Sequence, residues 1–226
     1  MDSDFWLNCW KTKTIGFHEN APNELLRNNF RAFANKINPK RIFVPLCGKS
    51  LDMAWLMAQG CHVVGIELSA IAVNELFETL DISHKVTKTD HLEQFSGPNI
   101  DVFVGDLFDL TESTIGPIDA IYDRAALVAM TPEQRVKYVN HLITICRNAP
   151  QLIVTFYANE ETLTSQSIEL SSVLKSGPPF FVQPNQLATL YNNYYHISPV
   201  ANHTSEREVH NTQPIECIWE LLPIHT

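Results

Sequence analysis

The sequence predicts an α/β fold built on one doubly wound, mostly parallel sheet, and three observations carry that expectation. Residues 42–68 pass from a short apolar run, Ile42-Phe43-Val44, through the break Pro45-Leu46-Cys47-Gly48 into a helical pattern over 51–57. They then enter a second apolar run, Val63-Val64-Gly65-Ile66, that ends on Glu67. That order is strand, tight turn, helix, strand, acid. Further short apolar runs at 100–104, 118–122 and 151–157 alternate with helix-length amphipathic stretches, as the strands of a parallel sheet do. Finally, 226 residues with 45% hydrophobic content suit one domain, 1–226, with a sizeable core.

The unit at 42–68 has the form of a nucleotide-binding βαβ. A glycine in the first turn lets backbone approach a ligand, and a carboxylate at the tip of the next strand can accept both hydroxyls of a ribose. Gly48 and Glu67 have the spacing for those two jobs. The turn lacks the G-x-G-x-x-G of a dinucleotide site, which disfavours a pyrophosphate. Gly48-Lys49-Ser50 resembles the end of a P-loop, but that motif needs a glycine where Phe43 stands, so Lys49 and Ser50 read as helix-start residues. A nucleoside without a phosphate chain remains, and S-adenosylmethionine fits that description.

The string Phe43-Val44-Pro45-Leu46-Cys47-Gly48-Lys49-Ser50-Leu51-Asp52-Met53 joins three others: Trp6-x-x-x-Trp10, Gly16-Phe17-His18 and Asp123-Arg124-Ala125-Ala126-Leu127-Val128-Ala129. Together they resemble the thiopurine S-methyltransferases of bacterial type over nearly the full chain. The resemblance implies a Rossmann-like, class I methyltransferase fold of seven strands with the last one antiparallel, and S-adenosyl-L-methionine as cofactor. It implies an N-terminal cap, residues 1–36, folded over the cofactor, and a thiopurine or other aromatic thiol as acceptor. Selenium or tellurium compounds, sulfide, halide or thiocyanate are the alternative acceptors. Two readings outside this class, a nucleoside-binding module without turnover and a P-loop phosphotransferase, remain to be separated by ligand binding.

Composition narrows the partners. A formal net charge of −9 and a pI near 5.4 argue against a partner bound through its phosphates, so a small molecule is expected rather than nucleic acid. The five cysteines, Cys9, Cys47, Cys61, Cys146 and Cys217, show neither C-x-x-C nor zinc spacing. They read as reduced intracellular thiols, and no metal is expected. No apolar run approaches a membrane span and the N-terminus lacks signal-peptide character, so a cytoplasmic protein, without membrane contact and monomeric, is expected.

Taken in order, residues 4–11 place Phe5, Trp6, Cys9 and Trp10 on one face of a short helix. Trp6 and Trp10 either pin this segment to the core or cap a ligand, and the resemblance favours the cap, with Trp10 toward the cofactor and Trp6 toward the acceptor. Phe17 is the better ligand contact in the loop that follows, since nothing in the spacing gives His18 a partner. Residues 23–36 form an amphipathic helix on the sheet. After the βαβ unit, Ser69 caps a helix carrying Ile71, Ala72, Leu76, Phe77 and Leu80. Residues 84–95 have no clear pattern.

The third strand, Ile100–Val104, runs into Gly105-Asp106. There Asp106 either accepts from an adenine amino group while Leu107 covers the ring, or only turns the chain. The fourth strand ends at Asp123-Arg124. Here a mutual ion pair competes with the role that the resemblance implies, Arg124 at the methionine end of the cofactor beside Leu46 and Gly48. Thr131-Pro132-Glu133-Gln134 opens a helix with Val136, Val139, Leu142, Ile143 and Cys146 on its buried face. Residues 151–157 are a fifth strand buried on both faces, residues 158–180 a variable surface region, and Pro184 starts a last helix. Strands near 194–200 and 215–222 form a terminal hairpin.

Arg207 lies between those last strands, where the resemblance implies an arginine facing the acceptor. Pairing with Glu206 or Glu208 is the other reading, and His210-Asn211-Thr212 departs from the family pattern. No nucleophile or general base is expected, because a methyl transfer to a soft thiolate needs alignment and exclusion of water rather than a covalent step. A positive side chain, Arg207, would raise the fraction of thiolate.

Overall fold

A computed structural model describes residues 3–89, 91–159, 163–164, 169, 172, 174 and 176–224. One sheet runs through the molecule. Its strands are β1 (Arg41–Val44), β2 (His62–Glu67), β3 (Lys85–Lys88), β4 (Glu93–Gly97), β5 (Ile100–Val104), β6 (Ala120–Arg124), β7 (Gln151–Tyr157), β8 (Tyr195–Thr204) and β9 (Ile215–Pro223). They lie in the order β3-β4-β5-β2-β1-β6-β7-β9-β8. Strands β5, β2, β1, β6 and β7 are mutually parallel, and β9 runs antiparallel to both β7 and β8. All seven anticipated strands are present, including the reversed one. The difference is an antiparallel hairpin, β3–β4, that raises the count to nine. Its first strand is exposed at every residue, so no buried face imposes an alternating pattern on the sequence.

The five parallel strands read as unbroken apolar runs because both faces are covered. Successive residues go to opposite sides. Phe43, Val64, Ile66, Phe103, Ile121 and Ile153 pack into one cluster, while Ile42, Val44, Val63, Val102, Ala120, Tyr122 and Val154 pack into the other. The second face is covered by α2 (Glu24–Ile37), α3 (Leu51–Ala58) and α4 (Ala70–Leu80), through residues such as Leu26, Phe30, Met53, Leu56 and Leu76. The first is covered by α6 (Pro132–Ile145), which follows the four-residue α5 (Glu112–Ile115), and by α7 (Pro184–Tyr191).

Two helix faces differ from expectation. On α6 the buried stripe is Arg135, Tyr138, Val139, Leu142 and Ile145, and Val136 is 55% exposed. An arginine sits in that stripe, so a polarity pattern shifts the face by one residue. On α4, Ile71 is exposed and the Ser69 side chain makes no capping bond. The anticipated start of α6 is present, with Gln134 accepting from the Thr131 N–H at 3.1 Å. Among the described residues, no helix is long and apolar enough to cross a membrane.

Candidate cofactor and acceptor site

Strand order reverses between β1 and β6, and the turns that leave their carboxyl ends frame a crevice. The turn after β1 is tied to β2 by a 2.9 Å bond from the Cys47 N–H to the Ile66 carbonyl. It needs unusual backbone: Leu46 has φ 46° and Gly48 φ 53°. Ala125, after β6, has φ 67°. Left-handed backbone at a leucine and an alanine costs on the order of 1–3 kcal/mol each, and both side chains border the same cavity. At Gly48 the conformation comes free of that cost, and a Cβ there would stand 3.0 Å from the Trp10 ring.

Glu67 closes β2 and is 5% exposed. Its Oε2 accepts from the Gly48 N–H at 3.0 Å and its Oε1 from the Ser69 N–H at 2.9 Å. Burial raises its pKa, and the backbone N–H groups of Ser69, Gly48 and Leu68 act against that shift. A carboxylate offers about four acceptor sites, so capacity remains beyond these donors. A buried carboxylate with acceptor capacity left, at the edge of a cavity, fits a ribose diol.

Arg124 does not pair with Asp123. Neighbours on a strand face opposite ways, and Asp123 turns into the core, where it accepts from the Leu127 N–H at 3.0 Å and the Tyr138 hydroxyl at 2.7 Å. Burial pushes its pKa up to about 6. Arg124 faces the other way, with Nε 2.5 Å from Asp52, one terminal nitrogen 3.1 Å from Glu19 and the other 3.0 Å from the Ser50 hydroxyl. Burial disfavours its charge, but Asp52, Tyr122 and Glu19 more than offset that, so its pKa is raised. Asp52 also accepts from the Asn23 N–H at 2.7 Å and the Tyr122 hydroxyl at 3.1 Å. The guanidinium therefore keeps two N–H bonds for a ligand, with its charge already balanced.

The helix α1 (Ser3–Thr12) and the loop to Glu19 lie over this crevice. Phe17 packs edge-on against Trp6 and Trp10, each at 5.5 Å between centroids. Two cavities result. One is bounded by Trp10, Leu46, Gly48, Glu67 and His18, and the other by Val128, Phe156, Pro178, Pro179 and Arg207. They share a wall of Trp6, Phe17, Arg124, Ala125 and Ala129.

The profile of the thiopurine S-methyltransferase family matches residues 1–224. The chain belongs to that family. Similar thiopurine S-methyltransferases occur in Xanthobacter autotrophicus, 43% identical over 88% of each chain, and in Gluconobacter oxydans, 36% identical over 97% of this chain and 94% of that one. Among solved structures, a methyltransferase from Methanosarcina mazei superposes with a TM-score of 0.63 at 15% identity, covering 89% of this chain and 98% of that one. The 1,6-didemethyltoxoflavin N1-methyltransferase of Burkholderia thailandensis, solved with S-adenosylhomocysteine, gives 0.60 at 13% identity over 97% and 86%. The fold is that of the class I methyltransferases, and family membership makes the protein an S-adenosylmethionine-dependent methyltransferase.

In this thiopurine S-methyltransferase framework most anticipated site residues meet. Trp10, Leu46, Gly48, Glu67 and Arg124 border the first cavity, and Trp6, Phe17 and Arg207 the second. Arg207 makes no ion pair among the described residues, with Glu206 and Glu208 included. Asp106 and Leu107 border neither cavity: Asp106 accepts from the Phe108 N–H at 3.0 Å, and the Leu107 side chain lies in the core. Of the anticipated cap, residues 5–19 border the cavities, whereas α2 packs on the sheet.

Asp52, Glu19 and His18 are site residues that sequence reasoning missed. Asp52 had a signal, one acid in the otherwise apolar stretch Leu51-Asp52-Met53-Ala54-Trp55. His18 borders the first cavity, where burial, Lys49 and Arg124 lower its pKa and keep the imidazole neutral near pH 7.

Proposed function

We propose that the protein transfers a methyl group from S-adenosylmethionine to the sulfur of a thiopurine or another aromatic or heterocyclic thiol. The observation that carries this reading is the pair of adjoining cavities: one ends on a buried carboxylate, and the other is walled by aromatic rings and prolines and bordered by an arginine with no ion pair among the described residues. Glu67 would hold the ribose hydroxyls, the turn Leu46–Gly48 and Trp10 the body of the cofactor, and Arg124 its methionine end. When bound, the cofactor supplies an electrophilic methyl on a sulfonium.

The chain's own residues do the rest. Trp6, Phe17, Ala125 and Ala129, common to both cavities, exclude water from the space between the two ligands. Phe156, Pro178 and Pro179 offer flat apolar surface to a heterocycle. Charge then favours the thiolate. Arg124 is neutralised by Asp52 and Glu19, so Arg207 is the cation that lowers an acceptor thiol's pKa. Walls of this kind suit a ring system better than sulfide, halide or a metalloid ion.

Steady-state kinetics with a thiopurine test this division of labour. Arg207→Ala should lower kcat/KM for the thiol by about 10- to 100-fold, equivalent to roughly 1.4–2.8 kcal/mol, while affinity for S-adenosylhomocysteine holds. Thiol kinetics equal to those of the parent protein would return Arg207 to the solvated surface.

A further inference from the structure

Two walls of the acceptor cavity come from segments distant in sequence: Pro178-Pro179 ahead of α7, and Arg207 between β8 and β9. Neither lies in a helix or strand, so their placement depends on contacts outside the sheet. One contact joins them. Val209 and Thr212 close a two-residue hairpin through bonds of 2.8 and 3.1 Å, and the Thr212 hydroxyl reaches the Val209 carbonyl at 2.9 Å. The residues between, His210 and Asn211, have φ 54° and 59°, the left-handed pair that a type I′ turn requires and that Asn and His tolerate better than most.

This turn aims the His210 ring at the other segment. Its Nε2 lies 2.7 Å from the Pro179 carbonyl, and because a carbonyl only accepts, the imidazole proton sits on Nε2. The same ring packs 5.7 Å from that of Phe181, which is buried with Val209. From the opposite side Arg135 of α6, 2% exposed, donates to the carbonyls of Phe180 at 3.4 Å and Phe181 at 3.2 Å. The Phe180 N–H bonds to the Val128 carbonyl at 2.6 Å. Three consecutive residues are thus fixed through their backbone. Neither His210 nor Arg135 borders the cavity.

We propose that His210 is a positioning residue that determines acceptor specificity. By fastening the Pro179 carbonyl to the hairpin beyond Arg207, it fixes the gap between the proline wall and the arginine, and so selects flat, fused-ring heteroaromatic thiols over small single-ring ones. The proposal rests on reading the larger cavity as the acceptor site.

Two variants test it. His210→Asn keeps a residue suited to the left-handed turn but loses the reach, whereas His210→Gln presents an amide N–H toward the same carbonyl. Hydrogen–deuterium exchange of the ligand-free protein should be at least threefold faster at residues 180–182 and 205–209 in His210→Asn. In kinetics, KM for a thiopurine should rise about 5- to 10-fold, as expected for one lost hydrogen bond, and KM for thiophenol should stay within twofold. Affinity for S-adenosylhomocysteine should not change, and Gln should recover most of the loss. Unchanged exchange at 180–182, equal effects on both thiols, or Gln no better than Asn would overturn the proposal. The exchange measurement reads the clasp whether or not a thiol is methylated, and absence of transfer by the unsubstituted protein would refute the acceptor reading alone.

Discussion

Glu67 is the buried carboxylate at the end of the first cavity. Two hydrogen bonds from a buried ligand to a carboxylate are worth on the order of 2–4 kcal/mol, so Glu67→Ala should weaken S-adenosylhomocysteine binding by about 30- to 1000-fold in calorimetry. Parent-like affinity would remove Glu67 from the site. Asp123 gives a prediction of stability against pH. Its folded pKa of about 6 stands above the ordinary 3.8, so between those values the folded state holds more proton than the unfolded one, and stability falls as pH rises through that window. The full difference corresponds to roughly 3 kcal/mol. Asp123→Asn lacks this loss, so its stability relative to the parent should grow between about pH 4 and pH 7 in denaturant titrations, and a difference independent of pH would contradict the assignment. Gly48 and Glu67 were legible in the sequence because a strand end and a turn fix where they stand. The Asp52–Arg124–Glu19 cluster was not, because it joins three elements whose packing no local spacing records.

The helix α1 is the element on which the site depends most. It contributes Trp6 and Trp10, and Lys13 just beyond it pairs with Glu75 of α4, which also holds Lys49 at 2.9 Å. The Lys13–Glu75 pair ties the N-terminal segment to the body through exposed or half-buried charges, a weak tie. Aromatic packing carries most of the attachment. Deleting residues 1–12 should therefore leave the circular-dichroism signature of the sheet intact while lowering S-adenosylhomocysteine affinity at least about tenfold. Loss of cooperative unfolding in that variant would show instead that α1 belongs to the core. The parallel strands, α3, α6 and the terminal hairpin could be read from apolar runs, caps and breaks. The β3–β4 hairpin could not, because its outer strand buries nothing, and neither could the inward face of α6, because Arg135 sits in it.

Over the whole molecule, a parallel centre is flanked by antiparallel pairs that leave β3 and β8 as edges. Lysines at 85 and 88 on β3, and a register shift at Pro199 on β8, blunt both edges against pairing with another chain. The sheet sets the two turns side by side, residues 5–19 lie over them, and Pro178, Pro179 and Arg207 complete the second cavity. Fold class and the places of Gly48 and Glu67 follow from order along the chain, which the sequence displays. The acceptor half draws on residues 5–19, 178–179 and 207, which only the folded chain brings together. On the proposed function, these two cavities hold a methyl donor and a thiol side by side. Mass spectrometry of a single turnover with methyl-labelled S-adenosylmethionine and a thiopurine tests it most directly. One labelled methyl is expected on the thiopurine sulfur, and cofactor binding with the thiopurine unmodified would contradict that assignment.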